Sequence, residues 1–202
     1  MADNDFRFFT NTDRDSLLAR FQKTLKGAEY FDVLVGYFRA SGFNNLYSAL
    51  KDVKKMRILV GLSADKEIVS LVEGINGQGQ LKLSRHDIKE DVSNRVRAEF
   101  ENCEDTADTE EAVKAFKSMI TDKKLEIRAF PERNIHAKVY ITRYPDDDRD
   151  FGSVITGSSN FTENGLRANR EFNVELKDKP DVDFALKRFE ELWSQSDDIT
   201  QE

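Results

Sequence analysis

A chain of 202 residues that is 39% hydrophobic and 34% charged, with three prolines, has the composition of a folded globular protein and not of a disordered one. One cysteine and two histidines exclude an internal disulfide, a cysteine-based zinc site and a multi-histidine metal cluster within one chain, so no metal or other cofactor is expected. The net charge of −7 counts against a protein that coats nucleic acid over a long footprint, which needs many Lys and Arg contacts to phosphate, but it leaves room for a local basic cleft.

Residues 14–26 carry Leu17, Leu18, Phe21 and Leu25 at helical spacing, with Asp13 or Asp15 available as cap. Residues 31–37 form a β-branched and aromatic run typical of a buried strand, and residues 42–53 predict a helix with Phe43, Leu46, Leu50 and Val53 on one side. A second buried strand is expected over 56–62, a helix over 65–75, and a short strand over 81–83 after the turn Asn76-Gly77-Gln78-Gly79. Residues 87–122 show two helical stripes, Val92, Val96 and Phe100, then Val113, Phe116 and Ile120, separated by a polar break. Strands are expected over 125–130, 136–142, 154–157 and 171–176, and a closing helix over 181–194 with Phe184, Leu186, Phe189 and Trp193.

Strands alternating with helices indicate an α/β fold with a mixed, largely parallel sheet flanked by helices on both faces. Residues 1–196 are read as one domain, with 197–202 as a polar tail or linker. No apolar run approaches the roughly 20 residues needed to cross a bilayer, and the first residues lack the basic and apolar regions of a signal peptide. A cytoplasmic protein with no membrane contact is therefore expected. The basic cluster Lys54, Lys55 and Arg57 reads as a solvated helix end, Asn164-Gly165 as turn chemistry, and Cys103 as half-buried packing.

Chemistry concentrates in the second half. In Asn134-Ile135-His136-Ala137-Lys138-Val139-Tyr140-Ile141, strand alternation puts His136 and Lys138 on one face and Ala137, Val139 and Ile141 on the other. A nucleophile and a cation thus share one space. Downstream come Gly157-Ser158-Ser159-Asn160-Phe161 and Glu171, a set of groups suited to attacking a phosphodiester.

This ordered set, His-x-Lys, then Gly-Ser-x-Asn-Phe, then Glu, resembles the phospholipase D superfamily. The early runs from Phe31 to Gly42 and from Met56 to Leu62 resemble phospholipase-D-like domains at the N-terminus of bacterial helicases. The resemblance implies metal-independent phosphodiester cleavage through a covalent phosphohistidine. Such cleavage needs a nucleophile, positive charge on the phosphoryl oxygens and an acid for the leaving oxygen. His136 is the candidate nucleophile, Glu171 the carboxylate that orients it, and Lys138 the point charge; Asn160 and Ser158 add neutral donors. Gly157 fits a close approach of backbone to substrate. Ser159 points away from Ser158 if the strand continues, yet counts with Gly157 among the candidate substrate-binding positions. Arg167 and Arg170 are placed to touch nucleic-acid phosphate, and Tyr37 and Ser41 to line a pocket rim.

A second histidine is needed as general acid, and His86 has none of the accompanying Lys, Ser or Asn. The resemblance therefore implies a homodimer in which two His136 side chains share one phosphate. The family's usual Asp, five residues after the motif lysine, is Arg143 here, which bears on the local scaffold more than on the chemistry. The leading expectation is a DNA nuclease module covalently linked to helicase domains. The alternative is a catalytically silent nucleic-acid-binding or dimerisation module. A lipid phosphodiesterase is least favoured, because no amphipathic basic segment is present.

Overall fold

The computed structural model describes residues 7–11, 16–61, 107–130, 135–146, 148 and 150–200. Among these, eight strands build one sheet in the order β1-β7-β6-β5-β2-β3-β4-β8. The strands are β1 (Arg7–Thr10), β2 (Tyr30–Val35), β3 (Lys55–Gly61), β4 (Leu125–Phe130), β5 (Lys138–Arg143), β6 (Gly152–Gly157), β7 (Phe172–Leu176) and β8 (Asp197–Asp198). The helices are α1 (Leu17–Thr24), α2 (Ala40–Leu46), α3 (Ala107–Thr121) and α4 (Lys179–Trp193), with a π-helical turn at Asn164–Ala168. The sheet is mixed, as expected, but its parallel part is confined to β2, β3 and β4, and the other pairings are antiparallel.

Period-two alternation divides each central strand between two cores. Phe31, Val33 and Val35 of β2, with Ile58, Val60, Tyr140 and Ile155, pack against Leu17, Phe21, Phe43, Leu46 and Phe116 of α1, α2 and α3. Leu34, Leu59, Ile141 and Val154 face the other way, onto Val182, Phe189 and Trp193 of α4. Helices thus cover both faces. No helix among the described residues is long and apolar enough to cross a membrane.

Local differences from the sequence reading have physical reasons. Helix α1 starts at Leu17 because Ser16 caps it, its Oγ accepting from the Ala19 N–H at 3.1 Å; Asp13 and Asp15 lie outside the described residues. Helix α2 is shorter than expected, yet Phe43, Leu46, Leu50 and Val53 are all buried as that stripe requires. In α4 the buried stripe is Val182, Phe189 and Trp193, whereas Phe184 lies off it and is 62% exposed. Two strands were not expected. β1 pairs with β7, and the segment read as a tail contributes β8, which pairs with β4. The expected helix over 65–75, the strand over 81–83 and the Val92, Val96, Phe100 stripe, with His86 and Cys103, lie outside the described residues.

The basic cluster is not a solvated helix end. Arg57 lies on β3, where its Nε donates to Asp32 Oδ1 at 2.6 Å and its Nη2 reaches Glu190 Oε1 at 2.7 Å. Arg143 of β5 approaches the other oxygen of the same carboxylate, at 3.1 Å, so Asp32, 1% exposed, is held between two guanidinium groups. Burial works to lower the Arg57 pKa, but the hydrogen bonds to Asp32 and Glu190 and their charges outweigh it and push it up. The rings of Phe189 and Trp193 lie 4.8 and 5.3 Å from the Arg57 guanidinium carbon, and Tyr30 lies 4.3 Å from that of Arg143. Arg143, where the resemblance leads one to expect Asp, therefore has its own counter-charge, supplied by the neighbouring strand.

Candidate active site

Strand direction gathers the candidate residues. β2 and β6 end where the antiparallel β5 and β7 begin, with Val35 opposite Lys138, Val139 opposite Thr156, and Gly157 opposite Asn173. Pairing continues just past the strands: Gly36 N donates to Ala137 O at 3.2 Å, and Ser158 N to Phe172 O at 3.1 Å. One end of the sheet thus carries His136, Lys138, Ser158, Glu171 and the Tyr37 loop.

His136 is exposed, in the extended segment just before β5 and not within the strand. The expected division of faces holds, since Ala137, Val139 and Ile141 pack in the cluster under α4. The Lys138 ammonium donates to the His136 carbonyl at 2.8 Å. Two residues farther along the same face, the buried Tyr140 hydroxyl donates to the Ser159 carbonyl at 2.8 Å, joining the His-x-Lys strand to the Ser-x-Asn segment. Burial, with a smaller contribution from the Glu171 carboxylate, pushes the Tyr140 phenol well above its ordinary value. It therefore remains a donor at neutral pH.

Glu171 differs from expectation. Its Oε2 accepts from the Ser158 hydroxyl and its Oε1 from the Asn169 amide at 3.2 Å, and among the described residues it makes no hydrogen bond to His136. The Ser158 Oγ also accepts from the Phe172 N–H at 3.0 Å, so this hydroxyl is engaged in both directions. At Gly157 a side chain would run into the Phe172 carbonyl, so the close approach that requires glycine there is to β7 and not to a substrate. Ser159 is fully buried, its hydroxyl accepting from Asn173 Nδ2 at 2.9 Å, which removes it from the substrate face.

Asn160 is half-buried, and its Oδ1 is shielded from solvent with no hydrogen-bond partner among the described residues. That oxygen is an acceptor, so toward an anion the amide can offer only its NH2. The π-helical turn packs directly beneath it, because Gly165 has no side chain to strike the Asn160 carbonyl. Asn11, the residue after β1, fixes that turn, donating to Gly165 O at 2.7 Å. Asn11, Tyr140 and Asn173 are supports that the sequence pattern does not announce: Asn11 and Tyr140 bond to backbone carbonyls remote in sequence, and Asn173 to the Ser159 hydroxyl.

At the rim, Tyr37 is 40% exposed with the Arg39 guanidinium carbon 5.0 Å from its ring centre. Ser41 is already used: its hydroxyl accepts from the Glu163 N–H at 3.3 Å. Arg167 is exposed but paired with Glu163, and Arg170 is exposed. The assembled chemistry is an exposed imidazole, an adjacent ammonium, a carboxylate held by two donors and the half-buried Asn160 amide, whose NH2 is the part able to donate to an anion. That set can bind and attack an anionic phosphoryl group.

The family model for the cardiolipin synthase, phospholipase D-like domain matches residues 21–193. Nuc from Salmonella typhimurium, a phospholipase D family member, is similar with a TM-score of 0.54 at 17% identity, covering 97% of this chain and 98% of that one. NucT from Helicobacter pylori gives a TM-score of 0.51 at 14% identity, covering 96% and 98%. Phosphatidylserine synthase from Haemophilus influenzae gives 0.56 at 11% identity, covering 97% of this chain but 39% of that one. At these identities the likeness is one of fold. No curated protein sequence matches the chain at a significant level.

Proposed function

Because the chain belongs to the phospholipase D superfamily, we propose that it is a metal-independent phosphodiesterase, a DNA nuclease module of a helicase-type protein whose site is completed by a second copy of the chain. The observation that carries this reading is the common sheet end shared by an exposed His136, Lys138 and the Ser158–Glu171 pair.

In this reading the neutral His136 imidazole of one copy attacks phosphorus, forming a P–N bond as the P–O bond to the leaving group breaks. The protonated His136 of the other copy gives its proton to the leaving oxygen. Water then attacks the phosphohistidine, losing a proton to that second imidazole as the P–N bond breaks. The Lys138 ammonium and the Asn160 amide hold the nonbridging oxygens. Glu171, positioned by Ser158 and Asn169, presents its carboxylate to an imidazole of the composite site.

The test is incubation of the purified chain with single- and double-stranded DNA in excess chelator, beside His136→Ala. Cleavage that resists chelator and disappears in the variant is the expected result. Intact DNA with binding retained would instead support a silent nucleic-acid-binding module, and that outcome defeats the enzymatic reading.

A further inference from the structure

The rim loop that leaves β2 has a built form. Its backbone is pinned on both sides of the site, Gly36 N to Ala137 O at 3.2 Å and Arg39 N to Phe161 O at 3.1 Å. The first contact falls between His136 and Lys138, and the second on the residue after Asn160. Phe38 points inward, 7% exposed, and stacks on Phe161 with ring centres 5.5 Å apart and planes 10° apart. Arg39 is extended, with φ −131° and ψ 146°. Alternation along an extended segment therefore sends Tyr37 and Arg39 to the side opposite Phe38. There the guanidinium carbon lies 5.0 Å from the Tyr37 ring centre, and Tyr37 stays 40% exposed.

We propose that Tyr37 and Arg39 form a nucleotide subsite that selects single-stranded nucleic acid, the Tyr37 ring stacking on the base beside the scissile phosphate and Arg39 contacting a flanking backbone phosphate. This rests on the phosphodiesterase reading above and adds a substrate class to it. Tyr37 keeps 40% of its surface exposed on a segment whose backbone is pinned at Gly36 and Arg39, at the end of the sheet that carries His136, so its ring is held where a ligand can reach it. An aromatic face paired with a cation matches the two surfaces that every nucleotide offers, a π-face and a phosphate. A ring anchored on a rim can receive only a base that is free of its own helix. In a duplex each base is stacked and paired, which favours the single strand.

The experiment is fluorescence anisotropy of the full chain carrying His136→Ala, in chelator, with three labelled probes. These are a mixed-sequence single strand, an abasic strand of equal length and a duplex. Adding Tyr37→Ala is expected to weaken the base-bearing strand about tenfold, leaving the abasic strand and the duplex unchanged, and Tyr37→Phe should restore the affinity. Adding Arg39→Ala should weaken both single strands and lower the salt slope by about one. The proposal is overturned if Tyr37→Ala leaves all three affinities alone, weakens the abasic strand equally, or if no single strand binds. Cleavage by the chain with His136 intact is scored separately. Its absence would sink the enzymatic reading while the anisotropy still decides the subsite.

Discussion

Lys138 and Ser158 occupy the same end of the sheet with unequal freedom. The Lys138 ammonium has three donors and spends one on a neighbouring carbonyl, whereas the Ser158 hydroxyl both donates to Glu171 and accepts from Phe172. Their removal should therefore have different consequences. Lys138→Ala is expected to lower kcat/KM on a single-stranded oligonucleotide by about 100-fold or more, the range for loss of a group facing transition-state charge. Ser158→Ala should cost less than about tenfold, because a hydroxyl bound in both directions acts by placing Glu171. Equal losses in parallel assays would show instead that the hydroxyl turns to the phosphoryl group. The His-x-Lys face was legible because strand alternation is a local rule, and the structure keeps Ala137, Val139 and Ile141 on the opposite side. The capture of Glu171 by Ser158 was not. It depends on the path of the chain between them, through a π-helical turn for which hydrophobic periodicity gives no signal.

Among the elements, β2, β3 and β5 meet around one carboxylate. Asp32 is 1% exposed between Arg57 and Arg143, whose side chains are 13% and 22% exposed. Removing its charge leaves two guanidinium groups facing each other at the centre of the sheet with Glu190 as the remaining acid partner. Asp32→Asn is expected to destabilise the fold by about 3 kcal/mol, at the lower end for a broken buried ion pair because both arginines keep some solvent contact. Urea denaturation measures it, and a loss below about 1 kcal/mol would mean that solvent screens the network. Arg143 was flagged in the sequence as a departure, but its partner could not be read there. Asp32 precedes it by 111 positions, and only the β2–β5 register makes them neighbours. The same limit applies to the edges of the sheet. The apolar runs of β2, β3 and β4 announce themselves, since strands buried on both faces are nearly continuous in hydrophobic residues. By contrast β1 is a four-residue edge strand, and β8 is two acidic residues pairing through backbone. Neither leaves a pattern of its own.

For the whole molecule the deciding quantity is the number of chains per site. The chemistry requires one imidazole to attack and another to protonate, and the sequence holds two histidines, His86 and His136. If the second imidazole comes from another copy, a pair of chains shares one phosphate, and replacing either His136 silences that pair. Mixing unmodified chain with His136→Ala, under conditions that let subunits exchange, should then reduce activity with the square of the unmodified fraction, because only pairs of unmodified chains retain both imidazoles. If each chain works alone with His86 as acid, activity should instead follow that fraction linearly, and His86→Ala should abolish it. The two-copy site expects His86→Ala to cleave normally. Titrating the mixture across compositions, with a sizing column to follow exchange, separates the curves. A straight line together with an inactive His86→Ala would move the general acid into the same chain as the nucleophile and remove the need for a partner.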